Sequence, residues 1–361
     1  MARQQPLPIA TDTGGLNEQV LRDHLNPLLL PWFPDALRRD GTAHATRFDA
    51  YLQEGGSVFR MVEPDQAARI VYPLTWQGVL KTDGLEGYKR FYEKHRQKRI
   101  LLHYLSDTTE RAGLGEEWVL RTSIDHRKRR PNEFVLPGWT EDLIQQHTEG
   151  FVARAYRARP SVGFVGFARP LDAGPVARLR YQAQLAAFRL GKAKGNVGAA
   201  LRRAALRRLR AHPGVDLRVE VKSGFVAGAR NQNALASDPD KFSEARATFV
   251  NGMIDTDYTL CTRGLGNYSF RFFETACCGR IPLFLDTDCP LPFEDQIDYP
   301  SMMPMIAYDR LRSLGSTLLR FHRSLGGEDF LDLQGRWRRV WEDYFSPLGY
   351  YRQIGRLWGD G

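Results

Sequence analysis

The sequence predicts an α/β fold of two Rossmann-like domains, and three observations carry that prediction. Residues 258–285 read in succession as an apolar strand (258–261, YTLC), a glycine-bearing turn (262–267), a helical run (268–278), a stop at Gly279 and a second apolar strand (281–285). Such strand–helix–strand units build parallel sheets. Residues 161–167 (SVGFVGF) form an apolar strand directly after a polar stretch closed by Pro160, which places a second domain's start near residue 160. A chain of 361 residues is long enough for two separate cores.

The first 20 residues are polar and read as loosely ordered, and residues 21–39 as a short helix interrupted by Pro27, Pro31 and Pro34. Strands are expected at 69–73 (RIVYP), 100–105 (ILLHYL), 119–123 and 134–136, with a helix at 84–98 carrying Tyr88, Phe91 and Tyr92 on one side. In the second half, helices are expected at 178–190, 199–210 and 243–251, and a strand at 217–221. The tail 329–361 is helical and rich in tryptophan and tyrosine. The expected divisions are 1–160, 161–328 and a helical tail 329–361.

Net charge is +9, and the excess is concentrated. Residues 178–210 hold ten Lys or Arg and no acid. Leu201, Ala205, Leu206 and Leu209 fall at helical spacing there, with arginines largely on the other faces. That is a basic amphipathic helix, open to a solvated-face role or to peripheral contact with a membrane surface. No helix-turn-helix, zinc-finger or RNP pattern supports a nucleic-acid partner. The four cysteines (Cys261, Cys277, Cys278, Cys289) lack zinc-ribbon spacing and read as reduced thiols. No apolar run approaches the roughly 18 residues of a membrane helix, and residues 1–15 have no apolar leader core. The expected location is cytoplasmic, with the inner membrane surface as a possible docking site.

Chemistry concentrates between strand 258–261 and the helix after it. Arg263, Gly264, Gly266, Ser269 and Arg271 sit at this junction, where backbone N–H groups and a positive helix end suit a phosphate. Two arginines can hold a diphosphate through charge-assisted bonds. Glu274, one turn beyond Arg271, is a candidate for sugar hydroxyls. Two Asp-x-Asp patterns, Asp255/Asp257 and Asp286/Asp288, are weaker candidates for a metal, the second pair being better placed after a strand.

The same segment resembles the signature of exostosin-family glycosyltransferases. Cys261-Thr262-Arg263-Gly264 is similar to that family's Cys-Pro-Arg-Gly turn, with Thr262 in place of Pro. Ser269, Arg271 and Glu274 match its Ser-x-Arg-x-x-Glu, and Gly279, Ile281 and Pro282 its Gly-x-Ile-Pro. Leu291 to Asp295 matches its Leu-Pro-Phe-Glu-Asp. Residues 59–73 and 129–137 resemble early segments of the family more loosely. The resemblance implies two Rossmann-like domains facing a cleft (the GT-B arrangement), with the last helix crossing back to the first domain. It implies transfer of a sugar from a nucleotide sugar, a UDP-sugar first, to a glycan or lipid-linked glycan, with inversion, no cofactor and no metal. Arg263, Gly264, Ser269, Arg271, Glu274 and Asp295 would then bind the donor. The general base is expected from the first domain: Asp107, just after strand 100–105, with His103 and Asp125 as alternatives. A GDP-sugar transferase of fucosyl type and a non-catalytic sugar- or nucleotide-binding protein remain as rivals.

Overall fold

The computed structural model describes residues 5–36, 46–82, 84–172, 174–192, 196–222 and 239–360. The α/β expectation holds, with two parallel sheets, one in each of two compact units. The first unit comprises Met1–Glu141, Cys289–Phe293 and Asp343–Gly361, and the second Asp142–Asp288 and Glu294–Glu342. The divisions drawn from sequence at 160 and 328 both fall inside the second unit. Side chains explain why residues 142–159 belong there. Asp142 pairs with Arg338 at 2.5 Å, and Arg154 with Asp257 at 2.9 Å. The Leu143 amide donates to Cys277 Sγ at 3.3 Å.

The first unit is built on β1 (Leu7–Thr11), β2 (Phe59–Met61), β3 (Arg69–Val71), β4 (Arg99–Tyr104), β5 (Trp118–Arg121) and β6 (Glu133–Val135). They pair in parallel in the order β2-β1-β3-β4-β5-β6. β1 overturns the expectation that the first 20 residues are loose. Ile9 and Ala10 are buried, and the strand is paired on both sides. A five-residue strand between polar flanks leaves too little periodicity to be seen in sequence.

Alternation along the strands sends side chains to two cores. Ile9, Val71, Leu101 and Leu120 face one cluster, and Ala10, Ile70, Ile100, Leu102 and Val119 the other. The second cluster is covered by helices α3 (Trp76–Lys81) and α4 (Leu85–His95), through Trp76, Val79, Tyr88 and Phe91. The first also receives α2 (Asp49–Glu54, after α1, Glu18–His24) and the last helix of the chain, Pro347–Asp360, through Tyr350, Tyr351, Ile354 and Trp358. Arg69 closes that helix by donating to the Trp358 and Gly359 carbonyls at 2.5 and 2.9 Å. The expected return of the C-terminal helix to the first unit is therefore present. Trp358 and Tyr344 pack in this unit, Tyr344 against Phe293. Trp337 and Trp341, from the same aromatic-rich tail, belong to the second unit. Trp337 is fully buried against Phe272 and Tyr299.

The second unit carries β7 (Ser161–Phe167), β8 (Asp216–Lys222), β9 (Tyr258–Cys261), β10 (Ile281–Asp286) and β11 (Met305–Ala307), all parallel, in the order β11-β10-β9-β7-β8. Its helices, in chain order, are α5 (Leu143–His147), α6 (Pro175–Arg189), α7 (Val197–Arg210), α8 (Pro239–Ile254), α9 (Phe270–Cys277), α10 (Tyr299–Met302), α11 (Leu314–Ser324) and α12 (Gly327–Val340); the C-terminal helix of the first unit is then α13. The chain runs from β7 outward to β8, then returns to the opposite side of β7 for β9. Strand order therefore reverses between β7 and β9, and open α/β sheets bind ligands beyond the carboxyl ends of strands at such a reversal. The apolar positions of α7 behave as its spacing predicts: Leu201, Ala205, Leu206 and Leu209 are all buried. Cys261, Cys277 and Cys278 are buried and Cys289 partly exposed, and none is in a disulfide among the described residues. Among the described residues, no helix is long and apolar enough to cross a membrane.

Candidate functional site

The reversal point between β7 and β9 is where the arginines meet. Arg271, on the first turn of α9, reaches back to β7 and donates from Nη2 to the Val165 carbonyl at 2.5 Å. Its guanidinium lies 4.3 Å from the Phe164 ring centroid and 5.2 Å from that of Phe249. Gly166 makes this approach possible. It holds φ +145°, and a Cβ there would stand 2.7 Å from Arg271 Nη2. Burial pushes the Arg271 pKa down, with Glu274 acting in the opposite sense. Ser269, the residue before α9, has a buried hydroxyl with no hydrogen-bond partner among the described residues, and Arg271 Nε is in the same condition. Buried donors of this kind call for an acceptor.

Arg202 completes the arrangement, and sequence reasoning missed it by assigning the arginines of α7 to outward faces. Its guanidinium donates to the Thr262 hydroxyl (3.1 Å), the Phe167 carbonyl (3.0 Å) and the Arg263 carbonyl (3.1 Å). It thereby ties the end of β7 to the loop after β9. Burial, reinforced by Arg271 nearby, pushes the Arg202 pKa down to about 9. Arg203 also turns inward, to the Pro170 and Leu171 carbonyls. Only Arg207, Arg208 and Arg210 of this helix are exposed. No periodicity separates an inward arginine from an outward one, because a long cationic side chain can bury its stem in either direction.

The predicted donor residues divide. Arg263 braces its own loop, donating to Asn267 Oδ1 (3.2 Å) and the Leu265 carbonyl (3.0 Å). Gly264 donates its amide to the Tyr268 carbonyl at 3.0 Å. The start of α7 packs so tightly on this turn that a Cβ at Gly198 would lie 2.3 Å from the Arg263 carbonyl. Glu274 is buried, and its Oε1 accepts from Arg246 of α8 at 3.0 Å, a partner not foreseen from sequence. Asp295 lies exposed on the turn at 292–296. Arg202, Arg246 and Arg271 set against Glu274 leave a local surplus of two positive charges at the reversal point.

The aspartate pairs take different positions. Asp257 is fully buried at the start of β9 and accepts from the Ser161 amide, the Ser161 hydroxyl and Arg154, which is a structural role. Asp286 Oδ1 accepts from the Asp288 amide at 2.9 Å, and Asp288 holds φ 63°. Among the described residues, no cluster of three His, Cys, Asp or Glu side chains could hold a metal ion.

In the first unit the three base candidates also separate. Asp107 is exposed on the loop that leaves β4. Asp125 accepts from the Arg127 amide at 3.3 Å, lies 3.6 Å from Lys128 Nζ and lines a cavity of about 250 Å³. His103 is fully buried, with Trp139 and Tyr351 packed about it and Nε2 3.2 Å from the Tyr351 hydroxyl. Burial pushes its pKa down to about 3. It points into the core because β4 alternates, and His103 occupies a slot that faces α13.

No family model matches the chain, and no curated protein does. The exostosin resemblance therefore rests on the four sequence blocks. Among solved structures, the crystal structure of TarM matches with a TM-score of 0.38 and 9% identity, over 81% of this chain and 54% of TarM. The chain thus spans about half the length of TarM, and at that TM-score the likeness supports no assignment.

Proposed function

We propose that this protein is a glycosyltransferase that binds a nucleotide sugar in its second unit, a UDP-sugar by the exostosin resemblance, and passes the sugar to a glycan acceptor. The observation that supports this most is the convergence of Arg202, Arg271 and the unpartnered Ser269 hydroxyl at the β7/β9 reversal. Sugar transfer breaks the bond from the anomeric carbon to the diphosphate oxygen, and negative charge grows on that oxygen. Preorganised cations and hydroxyl donors at that point lower the barrier. Arg271 and Ser269 would hold the diphosphate, while Arg202 fixes the loop and adds to the field. Glu274, with one oxygen held by Arg246, would offer the other to the ribose. In the inverting displacement carried over from the resemblance, the acceptor oxygen attacks as the nucleotide leaves, and a base takes the acceptor proton. Asp107 is the proposed base.

Calorimetry with UDP and GDP, followed by a donor-hydrolysis screen, tests the reading. UDP should bind and GDP should bind more weakly. Arg271→Ala should slow transfer about 30- to 1000-fold, the loss of roughly 2–4 kcal/mol of transition-state stabilisation. Activity within threefold of the parent in a folded variant removes Arg271 from the site. Glu274→Gln should weaken UDP binding about tenfold or more. A drop in melting temperature with unchanged UDP affinity would leave Glu274 only its ion pair.

A further inference from the structure

The first unit holds an arginine-lined cavity that the donor site does not explain. It lies between the loop that follows β4 and the crossover from β5 to β6, and measures about 250 Å³. Ligand pockets for whole drug-sized molecules run from about 300 Å³ upward, so this one suits a single sugar or a smaller group.

Its floor is Arg121, the last residue of β5, which is 2% exposed. One guanidinium nitrogen donates to Glu133 at 2.9 Å and another to the Thr108 carbonyl at 2.9 Å. The group lies 5.0 Å from the Tyr104 ring centroid. Its Nε is buried with no hydrogen-bond partner among the described residues. Glu133 is already engaged elsewhere. It also accepts from the Arg130 amide (3.2 Å) and the Arg130 side chain (3.3 Å). Two guanidiniums thus share one carboxylate.

Arg111 and Lys128 add two further cations to the lining, against Asp125 alone, so four cations face two carboxylates. Lys128 is well exposed and 3.6 Å from Asp125, which is a loose pairing. Among the described residues, Arg111 makes one bond, to the Leu114 carbonyl at 3.2 Å. The surplus is positive, Arg121 is held by β5, and guanidinium forks match carboxylate, sulfate and phosphate oxygens.

We infer that this cavity binds the oxyanion of a charged saccharide: a carboxylate, sulfate or phosphate carried by the sugar acceptor. The anion site stands on its own geometry; its assignment to the acceptor rests on the transferase reading. The test is calorimetry on the full chain with glucuronate, glucose 6-sulfate, glucose 6-phosphate and glucose, with UDP titrated in parallel. At least one anionic sugar should bind about tenfold or more tightly than glucose, the value of one charge-assisted bond. The tightest of the three identifies the anion. Arg111→Gln, at an exposed position, should remove that preference while leaving melting temperature and UDP affinity unchanged. Arg130→Gln, which also loses its bond to Glu133, should remove the preference at a cost in melting temperature but with UDP affinity unchanged, where Arg111 alone proves insufficient. Anionic sugars that bind no better than glucose overturn the proposal, as does an unchanged preference in both variants. Anion binding that persists in a chain unable to bind UDP supports the cavity and sinks the transferase reading instead.

Discussion

Asp107 and His103 are four residues apart on the same strand and its exit loop, yet their surroundings give them opposite chemistry. Asp107 is exposed on the loop that leaves β4, open to solvent. Asp107→Asn is nearly isosteric and should spare folding and UDP binding while cutting transfer about 10²- to 10⁴-fold. A fully active variant moves the role to Asp125, the other base candidate that is not sealed in the core. His103 is enclosed, and its burial has a consequence for stability. Its pKa falls from 6.5 to about 3 on folding. Between those values the unfolded chain takes up a proton that the folded chain refuses. Stability from this group is therefore complete above pH 6.5 and declines as pH drops toward 3. At pH 5 the loss is about 2 kcal/mol. Urea unfolding at pH 7 and pH 5 should show it, and His103→Asn should shrink the difference. The variant removes only part of the slope, because burial pushes His322 in the same direction. Identical slopes in variant and parent would reject the assignment.

Among the elements, α6 and α9 show how differently a helix can relate to its sheet. α9 is eight residues long and buries Phe272, Phe273, Ala276 and Cys277, so its position is fixed by packing on every turn. That rigidity is what lets Arg271 and Glu274 be aimed. α6 is fifteen residues long and buries none of its side chains fully, while Val176 and Leu179 are 83% and 68% exposed. Beside it, α7 exposes Arg207, Arg208 and Arg210. Exposed apolar side chains next to a block of cations fit the interface of an anionic bilayer. The protein should therefore float with phosphatidylcholine vesicles containing phosphatidylglycerol and not with phosphatidylcholine alone. Charge reversal at Arg207 and Arg208 should abolish flotation. Equal behaviour on both vesicle types would assign these arginines to solvent. The expectation for segment 178–210 included residues 193–195, which lie outside the described residues.

At the scale of the whole molecule, each unit is a parallel sheet with its own cores, and the proposed diphosphate site lies wholly within the second. Its surplus of two positive charges is supplied by arginine, so transfer should proceed unchanged in excess EDTA. Abolition by chelation and recovery with Mn²⁺ would transfer the diphosphate to Asp286 and Asp288. Much of this organisation can be read from the chain. The strands at 161–167, 258–261 and 281–286 declare themselves because strands buried on both faces are continuously apolar. Ser269, Arg271 and Glu274 stand out in sequence because they are polar positions at and just inside the start of an otherwise apolar helix. β1 does not, since it is short and its partners lie 50 to 60 residues away, at Phe59 and Ile70. Arg202 and Arg246 do not, since each looks like one more cation on a helix. What the sequence determined by itself is local: the alternation of strands and helices, the apolar faces, and the polar junction that carries Ser269 and Arg271. What only the tertiary structure decided is which side chains face one another. It put Arg202 beside Arg271, gave Glu274 its partner in Arg246, and sealed His103 in a core. Those contacts join residues 28 to 248 positions apart, and no short-range pattern encodes them. Strand order sets them, through the reversal between β7 and β9 and the return of α13 to the first sheet.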